Sequence, residues 1–200
     1  MDPPPTDLHT WGHPPLPPAP PLTLVELFAH FPDRSDRPAT ETVPAESVPE
    51  PYRGLLVHAH HMTVTVEKFH GGPVDVKVLD VRHAGDFYAR KILLALRGTG
   101  EVVQFGIVQI DLSFLAPAVR DEIISQKTPL GRVLIRHNVL RSVRPVEFFR
   151  VTPSQAMCGW FGLPQPVPTY GRLGVIYTDH KPAIRVAEIM APVLRANPER

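Results

Sequence analysis

Phe87-Tyr88-Ala89-Arg90-Lys91-Ile92-Leu93-Leu94-Ala95-Leu96 is the stretch on which the fold turns. Ala89, Arg90, Lys91, Leu93, Leu94, Ala95 and Leu96 are all good helix formers. The hairpin glycines beside it, in Gly98-Thr99-Gly100, tip the reading to a strand instead. Alternate residues of a strand share a face, so Tyr88, Arg90, Ile92 and Leu94 look one way and Phe87, Ala89, Lys91 and Leu93 the other. Alternation alone leaves open whether Arg90 or Lys91 faces in. Arginine suits an interior site better, because its planar fork offers a carboxylate two hydrogen bonds and it stays charged when desolvated.

The same pattern returns near the C-terminus, where Ile184, Val186, Glu188 and Met190 alternate against Ala183, Arg185, Ala187 and Ile189. Glu188 is thus a lone carboxylate on an aliphatic face. Buried charges need partners. Arg90 and Glu188 can pair directly, face solvent, or hold a polar ligand between them, and the residues alone keep all three open.

Around these two strands the chain reads as consecutive hairpins. Residues 87–96 pair with 101–110, and residues 172–177 pair with 183–190 across Asp179-His180-Lys181-Pro182. Residues 63–69 and 73–80 alternate as strands across His70-Gly71-Gly72. Further strands are predicted near 133–135 and 146–151, and helices over 51–60 and 117–125, the latter with Val119, Ile123 and Ile124 facing in. Hairpins imply antiparallel pairing and too few helices remain for crossovers, so the class is α+β, an antiparallel sheet with helices packed against it.

Composition divides the 200 residues into three. Thirteen of the 25 prolines lie in residues 1–50, including the run from Pro14 to Pro21, so residues 1–49 read as a largely disordered arm. Within it, Thr23 and Glu26 have capping-box spacing ahead of an apolar stripe, which predicts a short helix at 22–31. The run could also serve as a ligand for a partner domain. Residues 50–192 form the domain, and 193–200 a C-terminal tail.

A formal charge of +1 gives no electrostatic case for nucleic acid or an acidic membrane. Cys158 is the only cysteine, which removes intrachain disulfides and fits a reducing cytoplasm. No stretch reaches membrane-span length, and the start has no signal-peptide pattern, so a cytoplasmic monomer is expected. His58, His60, His61 and His70 cluster in sequence, but no carboxylate or cysteine completes a ligand set at diagnostic spacing, and no metal is expected. Phosphate-loop, dinucleotide and nucleophile-elbow motifs are missing, and Cys158 beside Trp160 reads as packed, so no cofactor is expected.

Taken in order, Met62-Thr63 after a short helix, Tyr88 to Leu94 with its embedded Arg90, Thr128-Pro129-Leu130-Gly131-Arg132, and Lys181-Pro182 leading to Glu188 and Pro192 resemble chorismate pyruvate-lyase. The match spans about residues 50 to 192. It implies an antiparallel sheet with an enclosed ligand pocket under flaps, and a lyase that splits chorismate into 4-hydroxybenzoate and pyruvate without metal or coenzyme, as in ubiquinone biosynthesis or a related aromatic pathway. It implies that Arg90 binds the ring carboxylate, that the Leu130 amide assists, and that Glu188 meets the ring hydroxyl and could act as base. Thr63 and Arg172 are second-rank candidates for the pocket.

Two departures accompany the resemblance. The family carries Gly-Arg where this chain has Gly106-Ile107, and Gly-Arg-Arg where it has Gly171-Arg172-Leu173. Missing arginines at 107 and 173 would matter most for a dianion. They leave open a noncatalytic module that binds an aromatic acid in the same pocket.

Overall fold

The computed structural model describes residues 16–193. Seven strands, β1 (Ala39–Val43), β2 (Val74–Ala84), β3 (Phe87–Leu96), β4 (Val102–Asp111), β5 (Arg141–Thr152), β6 (Thr169–Thr178) and β7 (Lys181–Met190), make one antiparallel sheet. Their order is β1-β5-β6-β7-β4-β3-β2. Among the described residues six α-helices accompany them, α1 (Leu24–Ala29) ahead of β1, and α2 (Tyr52–Leu56), α3 (Met62–His70), α4 (Pro117–Ile124), α5 (Leu130–Arg136) and α6 (Gln155–Phe161) between strands. The class is α+β, with helices packed on an antiparallel sheet.

β3 is a strand despite its helix formers, because it pairs on both sides, with β2 and with β4. A strand buried on both faces reads as a continuous apolar run, and residues 88–94 of β3 are all buried. One face carries Ala89, Leu93, Phe105, Ile107, Leu173, Val175 and Ala187. The other carries Tyr88, Ile92, Leu94, Val108, Ile184 and Val186 under α2, α3, α4 and α5.

Two predicted strands are helices. Residues 63–69 lie within α3, where Met62, Thr63 and Val66 bury one helical face and Gly71 ends the helix at φ 70°. Their alternating Thr and Val imitate a strand, but β2 pairs with β3 and needs no second partner there. Residues 133–135 lie within α5, whose Leu130, Val133 and Leu134 face inward at helical spacing that three residues are too few to reveal.

Residues 16–49 belong to the arm that composition reads as largely disordered, and they pack. Thr23 caps α1 and Glu26 returns the bond to the Thr23 amide, completing a capping box. Leu22, Leu27, Phe28 and Phe31 are buried against the first sheet face, together with Met157 of α6. Tyr177 donates its hydroxyl to the Pro17 carbonyl at 3.0 Å. Lys91, the outward neighbour of Arg90 on β3, forms a buried ion pair with Asp36 beneath this strap and lies over the Phe31 ring at 4.9 Å. β1 extends the sheet along β5. The expected tail, apart from Val193, falls outside the described residues, as do residues 1–15. Among the described residues no helix is long and apolar enough to cross a membrane.

Candidate functional site

Register puts four residues side by side across the helix-covered face: Ile92 opposite Gly106, Gly106 opposite Glu188, and Glu188 opposite Arg172. Gly106 leaves the middle of that row hollow; a Cβ there would come within 3.3 Å of Ile92 Cγ1. Arg90 and Gln104 flank the hollow, opposite Val108 and Leu94. The roof comes from the first turns of α3 and α5, which touch so closely that a Cβ on Gly131 would lie 2.9 Å from Thr63 Oγ1. The result is an enclosed cavity of about 50 Å3. Arg90, Thr63, Leu130 and Glu188 all line it; Arg172 does not.

Arg90 and Glu188 do not pair with each other. Arg172 donates from Nε to Glu188 Oε2 at 2.6 Å, and from Nη1 to the carbonyls of Leu56 and His58, each at 2.8 Å. Glu188 therefore has its cation, and it is not Arg90. Arg90 is 1% exposed, and its Nε and Nη1 have no hydrogen-bond partner. Burial pulls its pKa below the usual guanidinium value, with Tyr88, on the same strand face, partly offsetting this. Burial likewise pushes the Tyr88 phenol up. The Tyr88 hydroxyl interacts with the Arg90 charge without completing a well-formed hydrogen bond, and Gln104 Oε1 is buried without a partner.

A buried guanidinium with two of its nitrogens lacking an acceptor is costly. Chemically, the arrangement offers two N–H donors on a cation and, from Gln104, an acceptor nearby. It suits a small anion with a donor group beside the charge.

Sequence reading missed Gln104, although it was visible as a polar residue in the inward alternation Val102, Gln104, Gly106, Val108. It also misplaced the weight of the two departures. Ile107 and Leu173 lie on the opposite sheet face, packed in the core under the strap. Arginines there would not face the cavity.

Of the clustered histidines, His61 borders the cavity and its Nε2 accepts from Arg141 Nε. His58 Nε2 donates to the Leu55 carbonyl at 2.7 Å, leaving Nδ1 to accept from the His60 amide at 3.1 Å. Among the described residues no three His, Cys, Asp or Glu side chains converge as a metal site. Burial, then the nearby charges of Arg141, Arg172 and His60, lower the His61 pKa to about 4. His58 is lowered by burial and then Arg172, and His70 by burial. Between pH 6.5 and 4 the unfolded chain therefore binds a proton that folded His61 refuses, so stability falls as pH falls through this window. His61→Gln is expected to flatten that part of a urea-midpoint-versus-pH curve. An unchanged slope would mean His61 titrates normally in the fold.

No protein-family model and no curated protein matches the sequence. Solved structures do share its fold. PhnF from Mycobacterium smegmatis superposes with a TM-score of 0.52 at 11% identity, covering 68% of this chain and 65% of that one. The effector domain of PhnF gives 0.46 at 11% identity over 66% and 88%. A GntR-family transcriptional regulator from Bacillus cereus gives 0.41 at 11% over 60% and 92%. The chain thus spans just under two thirds of the PhnF chain it resembles.

These neighbours overturn the resemblance to chorismate pyruvate-lyase. The fold it implied is present, but the solved structure that shares it is PhnF, and no model of that lyase family matches the sequence. The expectations of a lyase, of 4-hydroxybenzoate and pyruvate as products, and of a ubiquinone-type pathway fall with it. The geometry supplies the physical reason. Glu188, the expected base, has its Oε2 taken up by neutralising the buried Arg172. With His61 in place, the cavity of about 50 Å3 has no room for a ring bearing two carboxylates.

Proposed function

We propose that this chain is a noncatalytic effector-binding domain that takes a small anionic molecule on Arg90. The observation that carries this reading is the buried Arg90 guanidinium, which lines the cavity and whose Nε and Nη1 have no acceptor. Thr63 and Leu130 form the roof over the bound group, Gln104 accepts from it, and Glu188 lines the wall, held by Arg172 behind it. Buried, unpaired Cys158 supports a reducing, cytoplasmic setting.

The test is a thermal-shift titration in carboxylate-free buffer with acetate, butanoate and inorganic phosphate. A ligand that binds only the folded state raises stability with its concentration. At least one anion is expected to raise the melting temperature of the wild type and to leave Arg90→Gln unmoved. Equal responses of the two proteins would refute the reading.

A further inference from the structure

The enclosed cavity has a neighbour. On the outer side of His61 lies an open groove of about 670 Å3 between α3, the end of α5 and the start of β5. His61 is the one residue that borders both spaces. Val64, Ile135 and Leu140 line the groove with 46%, 40% and 55% of their surface exposed, and Val139 and Val143 continue it. Single exposed aliphatics are ordinary, but three converging on one groove of ligand-binding size are not. No carboxylate lines the groove, and Arg141 stands at its edge, bonded to His61 and to the Val139 carbonyl at 2.8 Å. A second surface groove of about 550 Å3, beside Glu50 and Lys68, shares no residue with the Arg90 cavity.

We infer that the groove and the cavity are the two halves of one binding site for an amphiphilic carboxylate. Its head reaches Arg90 and its apolar body lies along Val64, Ile135 and Leu140, with the His61 ring turned out of the way between them. The inference rests on Arg90 being an anion site and adds the class of anion. The cavity alone is too small for anything beyond a head group, and the unpaired cation at its floor requires that head to be negative. The groove on the other side of that single side chain holds no carboxylate and is lined mostly by aliphatic side chains, with His60, Asn138 and Arg141 among them, which favours an apolar remainder. The Arg141–His61 contact is the latch that must open, which exchanges one hydrogen bond for the burial of apolar ligand surface.

The experiment measures the affinity of the full chain for straight-chain carboxylates from butanoate to decanoate, by calorimetry below their micelle concentrations. Each methylene seated in the groove should tighten binding about fourfold, the burial value for a CH2 group. In Leu140→Asp and in Val64→Asp, both at exposed positions, that gain per methylene should be lost. Wild-type affinity that does not rise with chain length, while still depending on Arg90, overturns the groove assignment and leaves the anion site standing. A rise that persists in both variants overturns it too. Binding that ignores Arg90 removes the anion site itself. Concentration-dependent dimerisation abolished by Leu140→Asp, seen by sedimentation, would assign the groove to a second copy of this chain and overturn the proposal.

Discussion

Arg90→Met is expected to make the unliganded protein more stable, by about 1–4 kcal/mol, the range seen when buried charges give way to well-packed apolar side chains. Most arginine replacements in a core would do the reverse. Here the guanidinium is 1% exposed and two of its nitrogens have no acceptor, so the folded state carries a desolvation cost that methionine, of similar length, does not. The same substitution should erase the anion-dependent rise in melting temperature. For wild type that rise corresponds to about 2.7 kcal/mol at a ligand concentration of 100 times Kd. Stability gained with binding lost is the signature of a site kept at the expense of the fold. Urea denaturation with and without anion measures both. Destabilisation of the unliganded protein by more than about 1 kcal/mol would mean the guanidinium is already satisfied, since breaking a made bond costs at least that.

Asp36→Ala should have the largest destabilising effect, about 3–5 kcal/mol, as expected when one partner of a buried ion pair is removed. Lys91 and Asp36 are 3% and 4% exposed at the side chain, so the ammonium left behind could not reach water without lifting the strap. Its approach to the Phe31 ring recovers only part of the loss. Removing both charges, as Lys91→Met with Asp36→Leu, should restore most of the stability, because the pair then vanishes together with its desolvation cost. A urea midpoint for Asp36→Ala within 1 kcal/mol of wild type would show the strap to be loosely held. Loss that is not recovered in the double variant would show that packing, rather than charge, fastens it.

Much of the sheet was legible because strand alternation needs only local sequence. Residues 87–96 resolve into a cavity face with Arg90 and a strap face with Lys91, and both charges turn out to be buried. What alternation could not decide was partnership. That Glu188 belongs to Arg172 depends on β6 lying beside β7 in one particular register, and that Arg90 Nε and Nη1 lack acceptors depends on everything else around them. The roof of the cavity was half legible: Leu130 and Thr63 line it, but as the starts of helices whose Thr, Val and Ile content imitates strands. The strap was hidden by its composition. Proline-rich sequence cannot make a core of its own, but it can lie on one that the rest of the chain provides, as Pro17 does against Tyr177.

That last contact joins residues 160 positions apart in the chain. During synthesis the strap emerges early, yet the surface that buries it includes Val175, Tyr177, Ala187 and Ile189 of the last two strands. Leu22, Leu27, Phe28 and Phe31 therefore stay exposed until nearly the whole domain has left the ribosome. The burial of this segment is bound to be among the last events of folding, and the long loop it closes makes it a slow one. Over that interval its apolar side chains depend on the flanking prolines, which disfavour intermolecular strand pairing, to keep nascent chains apart.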